Sequence, residues 1–210
     1  TFLRDRLISG VIGNILIEAN DGCSFLQDGE DVVDHYLKAY HRGIDSVMIS
    51  STNADTWLYN TAVRDRLYGF KAPLLEGEKL LVVQNRHFPS GITLLNGDII
   101  TVNKVFEPVE RTVRMKRGKE IKTEVLHFRK IEIAIQTDAG KEYLRFMIIE
   151  DLLFGTDRDL TRDQIIALYV DFTQRHKHLK RKSAEFIEAL MNDELFNALR
   201  TKFCHAITCH

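Results

Sequence analysis

The period of the apolar positions changes twice along this chain, and each change predicts a different kind of element. Over residues 1–70 helical and strand-like runs alternate. Thr1 to Ile8 has the pattern of a helix end, stopped at Gly10. Asp31 stands where it can cap a helix whose face is Val32, Val33, Tyr36, Leu37 and Tyr40, with Gly43 just past its end. Ser46 to Ser50, through Val47, Met48 and Ile49, predicts a short buried strand. Thr52 to Asp55 then form a loop and cap for a helix through Trp57, Leu58, Ala62, Val63 and Leu67. Helix, strand, helix in this order belongs to an open α/β sheet.

Between residues 75 and 150 the period falls to two. Lys79 to Val83 is an apolar strand, and the Asn96-Gly97-Asp98 turn feeds Ile99 to Val105. Thr112 to Met115 and Ile121 to Phe128 flank the turn Lys116-Arg117-Gly118-Lys119, while Ile131 to Thr137 and Tyr143 to Ile149 flank Asp138-Ala139-Gly140. Ile131, Ile133 and Ile135 alternate with Glu132, Ala134 and Gln136, as in strands joined by hairpin turns. Five or six short antiparallel strands in about 70 residues predict a small barrel.

Beyond Asp159 the pattern is helical again. Thr161 and Gln164 form a capping box ahead of Ile165, Ile166, Leu168, Tyr169 and Phe172. Ser183 and Asp193 can cap two shorter helices, one with Phe186, Ile187 and Leu190, the other with Leu195, Phe196 and Leu199. The last strand, Phe203 to Cys209, has no local partner. Its place is beside Ser46–Ser50, which makes everything between them one long insertion in an α/β sheet.

Composition narrows the class. The 210 residues suffice for one generous domain or two small ones. A hydrophobic share of 44% with 28% charged residues is that of a globular chain and excludes a disordered one. No apolar run reaches the ~18 residues of a membrane span, and no signal-peptide pattern opens the chain. Cys23, Cys204 and Cys209 are too few for a disulfide framework, so a reducing, cytoplasmic setting is expected. With a net charge of -1, contact with nucleic acid has to come from local patches.

Several residue groups carry candidate chemistry. Ser51, Thr52 and Asn53 sit where a strand opens into a helix, and free amides and the helix dipole suit a phosphate there. Thr52 or Asn53 also suits a plain helix cap, and one residue can do both. Cys204, His205, Cys209 and His210 invite a zinc reading. Alternation along a strand, however, puts His205 and Cys209 on one face and Cys204 and His210 on the other, so no metal site is expected. Two basic clusters could track a nucleic-acid backbone. One is the hairpin with Arg111, Arg114, Lys116, Arg117, Lys119 and Lys122, with Phe88 or Phe128 as a nearby stacking surface. The other is Lys177, Lys180, Arg181 and Lys182, where His176 and His178 fit a solvated helix end. Glu107, Glu110, Glu120 and Glu124 dilute the first cluster.

Three ordered stretches give a more specific signal. Val47 to Leu67 is VMISSTNADTWLYNTAVRDRL, Gly77 to Val102 is GEKLLVVQNRHFPSGITLLNGDIITV, and Asn197 to His210 is NALRTKFCHAITCH. Together they resemble the RecD-like and UvrD-like superfamily-1 ATP-dependent DNA helicases. The first is similar to that family's strand–loop–helix with Asn60 and Arg64 on the helix, and the second to its inserted SH3-like β-barrel. The third resembles the lead-in to its T-x-H-K-x-Q-G motif. The resemblance implies residues 1–74 and 202–210 in a second RecA-like domain of P-loop NTPase type. Residues 75–155 would be the barrel and 156–201 a helical segment, with the chain cut inside a motif.

The same resemblance implies DNA contacts at Thr208 and His210, to which the chemistry of the residues adds Thr52, Asn53 and the hairpin residues Arg114, Lys116, Arg117 and Lys119. It implies coupling to the nucleotide through Asn60 and Arg64. No Gly-x-x-x-x-Gly-Lys-Ser/Thr phosphate loop occurs in the chain, nor the acidic Mg²⁺-binding motif that accompanies it. In the family both lie in a first RecA-like domain, N-terminal to this region. ATP and Mg²⁺ would therefore act in the parent protein, the chain alone would contain no catalytic residue, and unwinding would run 5′ to 3′. Expected partners are single-stranded or junction DNA and that first domain, with no membrane. The rival reading is a non-enzymatic module whose barrel docks a protein or nucleic acid.

Overall fold

The computed structural model describes residues 26, 31–117, 120–137, 140–157 and 159–208, with the Arg117 backbone but not its side chain. The helix end expected at Thr1 to Ile8 lies outside these residues. In chain order the elements are α1 (Val32–His41), β1 (Met48–Ser50), α2 (Asn53–Tyr68), β2 (Lys79–Val82), β3 (Arg86–His87), β4 (Thr93–Leu94), β5 (Ile99–Arg117), β6 (Glu120–Thr137), β7 (Gly140–Ile149), α3 (Glu150–Phe154), α4 (Arg162–Arg175), α5 (Ala184–Asn192), β8 (Thr201–Phe203) and β9 (Ala206–Thr208). The fold is mixed α/β with a five-stranded antiparallel sheet.

Local chemistry sets the helix starts. The Asp31 carboxylate accepts from the Val33 amide at 2.8 Å, Thr52 from the Asp55 amide at 3.0 Å, and Ser183 from the Phe186 amide at 3.2 Å. Thr161 and Gln164 form the reciprocal capping box on α4. Gly43, at a φ of 71°, takes the left-handed turn after α1 that a side chain would resist.

β1 and β9 pair in parallel, Met48 opposite Ala206 and Ser50 opposite Thr208, joining segments about 150 residues apart as the pattern predicts. The returning segment is nevertheless two strands, not one. β8 pairs antiparallel with β2, and the Cys204 amide still donates to the Lys79 carbonyl at 3.0 Å. Only from His205, whose carbonyl accepts from Met48, does the chain join β1. The reason is that β2 has a free edge beside β8, while Phe203 fills the core beneath it.

The five-stranded sheet has the order β7-β6-β5-β2-β8. The barrel predicted by the strand count does not form. β5 and β6 each run straight through an expected break, absorbing it as register shifts at Val102/Lys104 and Val105/Pro108. Pro108, with no amide to donate, sits at the second shift. Between the edge strands, a bridge joins Ile148 of β7 to Leu199, just before β8.

Three apolar clusters result. One lies inside the sheet around Leu80, Val82, Ile131, Ile133, Ile148 and Phe203. A second lies between the ribbon and α4, where Val113, Met115 and Leu126 meet Ala167 and Leu168. The third, in the α/β unit, is small: Val33, Tyr36, Met48, Val63 and Ala206. Two helical expectations need correction. α4 buries Ala167, Leu168, Asp171 and Phe172 but leaves Ile165, Ile166 and Tyr169 exposed, because Asp171 turns inward to accept from Arg111 at 2.8 Å and Arg175 at 2.7 Å. Asp193 starts a turn, not a helix; its carboxylate is shared by the Phe196 amide and Arg175. α3 was not foreseen.

Candidate nucleic-acid interface

The carboxyl ends of β1 and β9 share an edge, and short polar side chains gather there. Ser50 Oγ lies 2.6 Å from Thr56 Oγ1, and Thr52 Oγ1 donates to Asp55 Oδ2 at 2.6 Å while capping α2. Thr208 Oγ1 donates to Asn53 Oδ1 at 3.2 Å across 155 residues of sequence. Thr52, Asn53 and Thr208 are thus assembled at one place. Thr52 does serve as the cap, and among the described residues no hydrogen bond is made by the Asn53 amide nitrogen. His210 and Lys119 lie outside the described residues.

Behind this edge, α2 carries the polar side chains that hold it. Buried Asn60 accepts from the His205 and Ala206 amides at 2.8 and 3.0 Å and donates to the Ala206 carbonyl at 3.0 Å. It therefore fixes the start of β9 through three backbone hydrogen bonds at His205 and Ala206. Arg64 Nε donates to Glu78 at 2.6 Å, and its Nη2 reaches Glu78 and the Ala72 and Pro73 carbonyls. The guanidinium also lies 3.8 Å from the Phe203 ring centroid. With side-chain exposures of 6% and 0%, Arg64 and Glu78 form a buried ion pair that joins α2 to the head of β2. Sequence pattern does not single out Glu78 as the partner; an acid directly before an apolar strand is its signal.

His205 sits at the strand switch. Its Nδ1 is 3.0 Å from the Tyr36 hydroxyl, and its buried Nε2 has no partner among the described residues. Burial, reinforced by the nearby positive charges of Arg64 and Lys79, pushes its pKa down to about 4, so the ring is neutral at pH 7. Burial lifts the Cys204 thiol to about 11, which leaves it an unreactive core group. Among the described residues no group of three or more His, Cys, Asp or Glu is placed to hold a metal.

A cleft of about 1070 Å³ runs along α2 from this edge. Asn53, Thr56, Trp57, Asn60, Thr61 and Arg64 form one wall, spaced by three and four as a single helix face requires. Phe154 and the loop after α3 form the opposite wall, and Phe70 and Lys71 stand at the far end. The sequence pattern runs a helix through Trp57 and does not reveal this face.

The basic hairpin divides by strand face. Lys122 pairs with Asp163 at 2.5 Å and Arg111 with Asp171, which neutralises the side against α4. Arg114 and Lys116 point the other way, exposed and without an ion pair among the described residues. Phe128 is fully buried, and Phe88 packs on Phe146 with centroids 5.3 Å apart, so neither is a stacking surface. In the second cluster, Lys177, Lys180, Arg181 and Lys182 are solvated. His176 is not: it packs on Phe172 at 4.5 Å and lies 3.3 Å from Asp193.

No protein-family model and no curated protein matches this chain.

Proposed function

We propose that this chain forms part of an ATP-dependent DNA helicase and supplies a strand-contacting edge of its second RecA-like domain. The observation that carries this reading is the parallel β1–β9 pair, which brings Thr52, Asn53 and Thr208 together from opposite ends of a long insertion. Such an edge, at the carboxyl ends of parallel strands, is where α/β sheets bind ligands. Its hydroxyl and amide groups suit the phosphates and sugars of a strand. In this reading the five-stranded sheet would stand for the inserted domain that the resemblance implies, and its ribbon would add Arg114 and Lys116 as backbone contacts.

In the parent, ATP and Mg²⁺ would bind between this unit and a first RecA-like domain. Closure on ATP and reopening after hydrolysis would move the edge along one strand, with 5′ to 3′ polarity. Phosphoryl transfer is positioning and electrostatics, and the phosphate-binding parts belong to the other domain.

The test uses the chain as it stands with a labelled oligo-dT. Fluorescence anisotropy should show weak binding whose affinity falls with salt, with a log–log slope of about 0.7 for each phosphate contact. Asn53→Ala with Thr208→Ala should reduce affinity. The chain alone should not hydrolyse ATP. Absence of binding at low salt would favour the rival reading, a protein-docking module built on the five-stranded sheet.

A further inference from the structure

The second basic cluster borders a hollow of its own. Where α4 ends and α5 begins, Thr173, His176, Lys177, Leu179, Arg181 and Phe186 enclose a cavity of about 150 Å³. Its floor is apolar, since the His176 and Phe186 rings both pack on Phe172, with centroids 4.5 and 5.2 Å away. Its rim is cationic: Lys177 and Arg181 are exposed and make no ion pair among the described residues. The Ser183 amide donates to the Lys180 carbonyl at 3.0 Å and closes a turn in which Lys182 has a φ of 64°. Glycine or asparagine would take that left-handed backbone more readily, and a lysine there adds charge beside the rim.

Apolar side chains left in solvent lead up to the hollow from both helices. On α4, Ile166 and Tyr169 are each 41% exposed and share a face with Thr173 by their spacing. On α5, Ile187 and Met191 are 53% and 69% exposed, one turn apart, beside Phe186. The carboxylates nearby do not cancel the rim. Asp171 is held by Arg111 and Arg175, Asp193 by Arg175 and the Phe196 amide, Asp163 by Lys122 and Glu194 by Lys130. Glu185 and Glu188 lie about 100° and 160° around α5 from Phe186, so neither faces the hollow, although Glu188 borders Met191. Residues 177–188 thus hold four Lys and Arg against two Glu.

We propose that this face docks a short acidic segment of a partner protein, with one bulky apolar side chain in the hollow and carboxylates against Lys177 and Arg181. Further apolar side chains of the segment cover Ile187 and Met191. The proposal stands apart from the strand-contacting edge and shares no residue with it. A cavity of about 150 Å³ admits a group the size of benzene, so a Phe or Leu side chain fills it. A buried apolar anchor inside a polar rim is the usual layout of a protein contact, and methionine suits such a surface. Other occupants fit less well. Nucleic-acid phosphates would meet the rim and leave the exposed apolar side chains uncovered. A lipid surface takes up protruding side chains and does not fill a hollow. A second copy, placed by a two-fold axis on the hollow, would bring two cationic rims together.

A display selection of random peptides of about 14 residues, roughly four helical turns, against the whole chain reads both the chemistry and the place. The double variant Ile187→Glu with Met191→Glu serves as counter-selection. Both side chains are exposed, so circular dichroism should show the variant folded. Selected peptides should carry a net negative charge and at least two bulky apolar residues. A labelled one should bind saturably in fluorescence anisotropy, more weakly as salt rises. Lys177→Glu with Arg181→Glu, and separately the Ile187 and Met191 changes, should each weaken it about tenfold or more. Lys177→Arg with Arg181→Lys should keep most of the affinity. Selected peptides without acidic residues, or equal binding by the variants, overturn the proposal. So does oligo-dT binding that is lost with Lys177→Glu and Arg181→Glu, which assigns the face to nucleic acid. Phosphatidylserine vesicles released by the Ile187 and Met191 changes would assign it to a membrane. A dimer in sedimentation that the same changes dissolve would assign it to a second copy. Either result also overturns the proposal.

Discussion

The β5–β6 ribbon and the β1–β9 pair are both two-stranded contacts, yet they are held together by different means. The ribbon joins neighbours in sequence. Its register is set by alternation, and Val113, Met115 and Leu126 bury one face against α4. The β1–β9 pair joins segments far apart in the chain, with three residues on each side and, among the described residues, five buried core residues around it. Among the described residues the apolar burial there is smaller than in the other two clusters. Buried polar groups take over: Asn60 grips β9, Arg64 and Glu78 tie α2 to β2, and His205 meets Tyr36. Local contact order builds the ribbon cheaply; the distant pair needs latches that fit only one arrangement.

That contrast can be broken where the latch is strongest. Glu78→Ala leaves the Arg64 guanidinium buried without its counter-charge, so chemical denaturation should show a loss of about 3–5 kcal/mol. The double variant Arg64→Met with Glu78→Leu should recover much of this, since no charge is then left unpaired. If Glu78→Ala cost under 1 kcal/mol, the pair would not be holding the two units together.

The second effect depends on pH. The folded His205 titrates near 4, below the ordinary 6.5 of histidine, so between those values the unfolded chain binds more protons. Stability from this site is therefore complete above about pH 6.5 and lost as pH falls towards 4, a total of about 3 kcal/mol. His205→Gln should flatten the stability profile across that window. An unaltered profile would mean that the ring is solvated.

Asn60→Ala removes the partner of two buried amides and one carbonyl, with an expected cost of about 2 kcal/mol. In hydrogen exchange the loss should appear first in β9, while β5 and β6 keep their protection. Equal loss in both regions would show that the two units unfold together. The smallest effect is expected on the ribbon's outer face. Arg114→Ala with Lys116→Ala should alter stability by less than about 0.5 kcal/mol, while reducing the salt dependence of oligonucleotide binding.

Residues acting within a few positions of themselves were legible. Thr52, Thr161 and Ser183 cap as their spacing predicts, and Ile131 and Ile133 face a core. The parallel partner of β1 was legible too, because an apolar strand with no neighbour has to find one. Asn60 and Arg64 stood out as residue types on a helix, but their partners did not. Glu78, the Ala206 carbonyl and the His205 amide are contacts of long range, and period carries no information about them.

The sequence by itself determined where α1, α2, α4 and α5 start, that Ile131 and Ile133 face inward, and that β1 pairs with a distant strand, since these follow from local sterics and from alternation. Tertiary structure alone decided that the returning segment changes partner at Cys204 and His205, and that the ribbon runs on where a barrel was expected. It also decided that one polar face of α2 lines a cleft ending at Phe70. Each of these turns on which edge or surface is left uncovered once the rest has packed. That property belongs to the assembled fold and to no single stretch of the chain.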